Sequence, residues 1–350
     1  MRRKSKRSKK AKETEKNSPT DKTLEVKTKK INNPVLEGKD IAELICVNEK
    51  EEPITPKESL LEKNGKETST KNTPIKRGKR SRRPNKTIAI CVGINDYPGT
   101  FNDLRGCVND ANEWATLLRR LYRFNDVSIF TDSNATVRNV KRSLEKAILN
   151  ASRGDKIVFT FSGHGTTVPD LDGDEKNGFD EALCCYDGLI IDDEIRHLIR
   201  RMADGVSLSV IADCCHSGTI TRAFLQSQYE TIKNKKEINE PKPKYMPMNQ
   251  NISAMSVEAP VAKNRFLCES NMKEILLTGS KDTEYSFDAR MGGRFMGAMT
   301  YHATRILRRH RVITWKRLHE EIRRHLPSRQ LPQTPQLEGT EENKNKIVFD

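Results

Sequence analysis

The strongest constraint on how this chain folds is an alternation that begins near Thr87, where short β-branched and aromatic runs are each followed by a stretch of helical periodicity. Thr87–Ile94, Asp126–Phe130, Lys156–Phe161, Ser207–Ala212 and Ile275–Leu277 read as strands, the first apolar on both faces as a central parallel strand requires. Between the first two, Asn109 or Asp110 is expected to cap a helix whose inward stripe is Trp114, Leu117, Leu118 and Leu121. Asn134 or Thr136 should cap a second helix running to Leu149, and Asp192 or Asp193 a third through Ile195, Leu198 and Met202. Two more helices, about Gly297–Leu307 and Trp315–Leu326, precede Ile347–Phe349, read as an edge strand. The pattern predicts an α/β fold, a mainly parallel central sheet with helices on both faces, whose functional loops gather at the carboxyl ends of the strands.

Residues 1–86 obey none of this. They carry 26 Lys+Arg against 13 Asp+Glu, so they hold +13 of the formal charge of +15, and their apolar patches are short. Too little surface can be buried there to offset backbone ordering, and a basic, largely disordered prodomain-like region is expected. Its clusters, Arg2-Arg3-Lys4 and Lys76–Arg83 among them, suit nuclear targeting, weak polyanion contact or simple solubility; no aromatics are interleaved to stack bases. Residues 87–350 form the folded domain, interrupted by two irregular stretches: acidic Val168–Gly188, and a lysine-bearing segment at about 221–265 that reads as a flexible insertion or processing loop. No apolar run is long enough for a bilayer, no secretory signal opens the chain, and eight cysteines in 350 residues are too sparse for a disulfide scaffold. A reduced, cytoplasmic setting without membrane contact is the expectation, with the nucleus reachable through the basic clusters.

Two polar motifs fall at strand ends. The third strand leaves through Ser162-Gly163-His164-Gly165, and the fourth through Asp213-Cys214-Cys215-His216-Ser217-Gly218. Taken singly, each has an ordinary explanation: a hydrogen-bonding loop histidine, and a cysteine pair that packs. Together they place an imidazole and a thiol at the rims of consecutive core strands, 51 residues apart, close to the offset of caspase-type enzymes. A neighbouring imidazole can take the thiol's proton, and glycines beside it let backbone amides approach a substrate oxygen.

These motifs, with Leu104-Arg105-Gly106-Cys107, Asn109-Asp110-Ala111, Asp172-Gly173-Asp174-Glu175, Gly178-Phe179-Asp180-Glu181 and Ile191-Asp192-Asp193-Glu194, resemble those of type I metacaspases, in order along nearly all of 87–350. The resemblance implies a caspase-like endopeptidase acting after Arg or Lys in protein substrates, as a monomer, through an acyl-enzyme and with autoprocessing. It assigns His164 as the base and Cys215, not Cys214, as the nucleophile, and points to amides near Gly165 and Cys215 as oxyanion donors. Cys107, Asp110, Ser162 and Asp213 become the walls of a pocket whose carboxylates match a basic side chain. Roles in stress response or cell death come with the family in general terms.

From Asp170 to Glu194 the chain carries ten carboxylates and a single lysine. An EF-hand reading fails because its sixth loop position is Glu175 in place of glycine. The resemblance instead implies activating calcium held by Asp192 and Asp193 with Asp180, while Arg222 stands where the family often has an acidic residue, which weakens the site. Two rival readings remain at the level of sequence: a catalytically weak caspase-like adaptor, and a polyanion-binding protein acting through residues 1–86.

Overall fold

The computed structural model describes residues 83–99, 102–170, 178–215, 240–247 and 272–350. The calls on residues 1–82, most of 221–265, and Arg222 lie outside them.

Five parallel strands form the centre of the domain: β1 (Thr87–Gly93), β2 (Asp126–Thr131), β3 (Lys156–Ser162), β7 (Ser207–Asp213) and β9 (Ile275–Thr278). The edge strand β12 (Gln336–Glu338) pairs antiparallel with β9, giving the order β12-β9-β7-β3-β1-β2. The alternation in the sequence thus becomes a doubly covered sheet. One face packs α2 (Val137–Leu149) and α3 (Asp192–Arg200) through Val140, Leu144, Ile148 and Leu198. The other packs α1 (Cys107–Arg120), α4 (Ala298–Arg309) and α5 (Trp315–Arg323) through Trp114, Leu117, Leu118, Leu307 and Leu318.

Several local expectations are corrected. Neither Asn109 nor Asp110 caps α1. Its first amides are taken by a distant side chain, with Cys107 and Val108 N–H donating to Asn95 Oδ1 at 2.8 and 3.3 Å. Asp110, a turn further in, is thereby released for other partners. Asp192 and Asp193 are the first residues of α3 and do not cap it; Glu194 reaches back to the Ile191 amide instead, at 3.3 Å. Thr136 does cap α2, accepting from the Asn139 amide at 3.2 Å. Ile347–Phe349 is not a strand: Ile347 makes one bridge to Thr314, and Phe349 plugs the core against Trp114 and Trp315. The edge position falls to β12, whose three residues are too few to show a period.

The acidic stretch is also more ordered than its composition suggests. β4 (Gly165–Pro169), β5 (Phe179–Cys184) and β6 (Leu189–Ile191) form an antiparallel sheet that starts directly after His164. A third sheet joins β8 (Lys242–Pro243), β10 (Phe287–Met291) and β11 (Arg294–Gly297), so part of the irregular segment is a strand.

At the opposite end of the central sheet, buried Asp155 takes both Arg83 guanidinium nitrogens at 3.1 and 2.7 Å, and the Lys86 and Ser152 amides at 2.8 and 2.9 Å. Burial alone would raise this carboxyl; Arg83 and the two amides outweigh it and hold it at about 2. Its stabilising contribution is therefore present above the ordinary Asp range and lost as pH falls toward 2. Asp155→Ala leaves two amides without their acceptor and is expected to cost about 2 kcal/mol, read from the midpoint of urea denaturation at neutral pH.

Candidate active site

Neighbouring β3 and β7 run in register to their ends, where Ser162 lies opposite Asp213. Each strand then delivers its motif to the same rim: His164 two residues beyond Ser162, and Cys215 two residues beyond Asp213. Gly165 backs directly onto the Cys215 carbonyl, in a space that any side chain would fill.

His164 is held from three directions. Its amide donates to Tyr97 Oη at 2.8 Å, its carbonyl accepts from the Cys184 amide at 3.0 Å, and the Tyr97 ring lies 4.9 Å from the imidazole. Tyr97 in turn donates to the Cys184 carbonyl at 3.1 Å. Because Nε2 lies 2.6 Å from the Asn102 carbonyl, which can only accept, Nε2 carries the proton and Nδ1 keeps its lone pair. Buried Nδ1 has no hydrogen-bond partner among the described residues. Burial dominates its acidity, lowering the imidazole to about 4 against the opposing Asn102 bond, so it is a neutral acceptor at physiological pH.

The sign for stability follows: the neutral histidine contributes fully above about 6.5, and this is lost as pH falls toward 4. An NMR titration of the full chain should show His164 still neutral at pH 5.5, well after an exposed histidine has begun to protonate.

Cys215 is fully buried. Its Sγ accepts from the Ser286 amide at 3.0 Å, and burial pushes the thiol well above its ordinary range. Both groups are thus neutral, a thiol just beyond the end of β7 and an imidazole just beyond the end of β3.

What buries them is the chain itself. β8 pairs antiparallel with β10, the Lys244 amide donates to the Ser286 carbonyl at 2.9 Å, and the Met246 amide donates to the Gly165 carbonyl at 3.0 Å. Between these anchors the Lys244 carbonyl accepts from two amides, Gly165 at 3.0 Å and Cys215 at 3.3 Å. That is the arrangement an oxyanion hole requires around a substrate carbonyl.

The Lys244 side chain runs into a closed pocket and is 0 % exposed. Its ammonium lies 3.4 Å from Asp110 Oδ2 and 3.1 Å from Asp213 Oδ1, and donates to Ser162 Oγ at 3.0 Å and to the Asp213 carbonyl at 3.1 Å. Ser162 Oγ donates to Asp110 Oδ2 at 2.6 Å, and the Gly297 amide donates to the same carboxylate at 2.9 Å. Burial alone disfavours the ammonium, yet Asp213, followed by Cys107 and Asp110, holds it well above the ordinary lysine range. Burial also raises Asp110, to about 7, with the Asp213 charge adding to the rise and Lys244 opposing it. A side chain at Gly297 would strike Asp213, Asp110 and Lys244 together, so glycine is needed to close the pocket floor.

The four residues assigned to the pocket from sequence, Cys107, Asp110, Ser162 and Asp213, therefore converge on one cation. Sequence reading missed Tyr97, Asn95, Asn102, Ser286 and Gly297. The Gly93-Ile94-Asn95-Asp96-Tyr97-Pro98-Gly99 run at the end of β1 was a usable signal, since it leaves the same rim as the two motifs. An open cleft of 690 Å³ lies elsewhere, lined by Val137, Arg138, Lys141 and Glu194.

The acidic residues behave differently. Asp180 in β5 and Asp193 are buried, while Asp192 and Asp193 face the Arg196 guanidinium at 2.5 and 3.6 Å. Among the described residues no three acidic, histidine or cysteine side chains gather as metal ligands. As arranged, a divalent cation would have to displace Arg196, so the described donors do not form a ready metal site.

A mainly parallel sheet with cysteine and histidine at adjacent strand ends defines a caspase-like domain. The description "Metacaspase, peptidase C14 domain" matches residues 87–224. The chain is 33 % identical over 282 residues to Metacaspase-1B of Neosartorya fischeri, covering 71 % of this chain and 68 % of that protein. It is 30 % identical to Metacaspase-1 of Cryptococcus neoformans, covering 75 % and 64 %. The crystal structure of protein GSU0716 from Geobacter sulfurreducens superposes with a TM-score of 0.55 at 25 % identity, covering 75 % of this chain and 98 % of that one. The chain belongs to the metacaspase family, as a type I member, and its folded part is a cysteine peptidase domain. No helix among the described residues is long and apolar enough to cross a membrane.

Proposed function

We propose that this metacaspase is an endopeptidase that cleaves after Lys or Arg, with Cys215 as nucleophile and His164 as base, and that its first substrate is its own Lys244–Tyr245 bond. The observation that carries this reading is Lys244: its ammonium sits between Asp110 and Asp213 while its carbonyl is held by the Gly165 and Cys215 amides. A carboxylate pair walled by Cys107 and Ser162 suits an ammonium or guanidinium and repels the acidic residue that caspases select.

In the reaction, Sγ of Cys215 attacks the Lys244 carbonyl carbon as Nδ1 of His164 takes the thiol proton. The oxyanion stays on the two amides. The bond to the Tyr245 nitrogen breaks, His164 returns its proton to the departing amine, and water then hydrolyses the thioester to free the Lys244 carboxylate. A docked segment that is also the scissile one accounts for a latent precursor: self-cleavage frees the residues after Lys244 and opens the groove to protein substrates.

Purified full-length protein should yield a fragment beginning Tyr245-Met246, and afterwards hydrolyse peptides ending in Arg or Lys, not Asp. Preference for Asp-terminated peptides overturns the pocket reading. Calcium at Asp180, Asp192 and Asp193 is a separate proposal, which rests on the local carboxylate density and requires Arg196 to give up Asp192 and Asp193 to the ion. Rates with calcium and with a chelator should differ, and the difference should shrink in Asp193→Asn; equal rates in both remove it.

A further inference from the structure

A further carboxylate stands beside the groove, near enough for its charge to add to the hold of Asp213 and Asp110 on Lys244. Asp288 on β10 is 0 % exposed, and only half of it is used: Oδ2 accepts the Arg105 and Gly106 amides at 2.5 and 3.1 Å, while buried Oδ1 has no hydrogen-bond partner among the described residues. A buried carboxylate oxygen without a donor is costly to keep.

Its position in the ladder says what it faces. Residues directly opposite one another in an antiparallel pair project from the same face. Asp288 is opposite Lys242 on one side and Gly297 on the other. Gly297 is the pocket floor, so that face of the ladder is the one turned to the Asp110–Asp213 pocket. Lys244 lies just past β8, but its amide donates to the Ser286 carbonyl at 2.9 Å and so continues the register that sets Lys242 opposite Asp288, which puts the two lysines on one face. Asp288 thus lies across from the first lysine and diagonal to the second. The Lys242 ammonium itself donates to the Asp103 carbonyl at 2.8 Å, and the Arg105 guanidinium, held over the Phe295 ring and bonded to the Glu240 carbonyl, offsets part of the charge of Asp288.

We propose that Asp288 is a specificity-determining carboxylate that reads a basic residue two positions before the cleaved one, so that the enzyme selects basic-X-basic sequences such as its own Lys242-Pro243-Lys244. This deepens, and rests on, the assignment of Lys244 as the residue before the cleaved bond. The pattern recurs at many places in the chain, Lys233-Asn234-Lys235, Lys263-Asn264-Arg265, Arg77-Gly78-Lys79 and Arg80-Ser81-Arg82 among them, which become candidates for further processing.

The alternative is purely structural: Asp288 ties down the entry to α1 and does nothing else. The two differ in substrate selectivity. In processed wild-type enzyme, kcat/KM for the fluorogenic peptide Glu-Pro-Lys-Pro-Lys should exceed that of the peptide with norleucine in place of the first lysine by roughly 10-fold, the order of one charge-assisted contact. Norleucine keeps the alkyl stem and removes only the charge. In Asp288→Asn the ratio should fall to near 1, chiefly by loss on the lysine peptide. Equal rates for the two peptides in wild type overturn the proposal whether or not the variant folds, and so does an undiminished ratio in a folded Asp288→Asn. If neither peptide is cut, or Asp replaces the final lysine to advantage, the underlying assignment of Lys244 fails instead.

Discussion

Cys215→Ala is expected to abolish both self-cleavage and peptide hydrolysis, a fall on the order of 10^5-fold, because no other group can form the acyl-enzyme. The adjacent Cys214 is the natural control. Its carbonyl accepts the Ser286 hydroxyl at 3.0 Å, which is a structural bond on the backbone and survives replacement of the side chain. Cys214→Ala should therefore keep most of the activity after allowance for a small packing loss. The thiol of Cys215 accepts from the Ser286 amide, and the amide of the same residue is one of the two that hold the Lys244 carbonyl. Measured by gel and by fluorogenic peptide, activity that persists in Cys215→Ala and vanishes in Cys214→Ala would reverse the assignment.

The second large effect concerns Lys244. Lys244→Met should yield no fragment starting at Tyr245, whereas Lys244→Arg should still be cut, because a guanidinium can meet the same two carboxylates. The methionine variant should also dock its segment poorly. Removing the cation leaves Asp110 and Asp213 buried against each other, a change of the kind that costs about 3–5 kcal/mol when one partner of a buried ion pair is lost. Release of the segment from the groove relieves this, so amide exchange at residues 244–246 should rise sharply. The effect has a pH sign. Burial and the Asp213 charge already raise Asp110 to about 7 with Lys244 opposing; without Lys244 the rise is larger, so a docked state that needs Asp110 neutral is favoured at low pH and weakened as pH rises above 7. Protection in Lys244→Met equal to wild type at pH 8 would show that the ion pairs do not hold the segment.

Much of the site was readable from local pattern. His164 and Cys215 follow apolar strands that any period-based reading finds, and glycines mark both exits. Cys107, Asp110, Ser162 and Asp213 came from family resemblance, not from chemistry alone: an acidic residue near a helix start reads first as a cap, and here that reading is wrong because Asn95, twelve positions upstream of Cys107, takes the cap role. The antiparallel strands β4 to β6 were hidden by acidic residues that composition assigns to a loop, and β8 by being two residues long.

Lys244 shows the division most clearly. Its sequence neighbourhood marks it only as one of seven basic residues in or beside an irregular segment, Lys233, Lys235, Lys236, Lys242, Lys244, Lys263 and Arg265, none distinguished by spacing. The sequence by itself determined the alternation of strands and helices, the basic N-terminal region, and the histidine and cysteine at the strand ends, because each is written in contiguous residues. Only the tertiary structure decided which lysine fills the pocket, which ring nitrogen of His164 is free, and that Asp288 faces the groove. Those depend on contacts between residues from about 30 to more than 180 positions apart, such as Lys244 with Asp213 and Gly106 with Asp288, and separations of that length leave no periodicity in the chain.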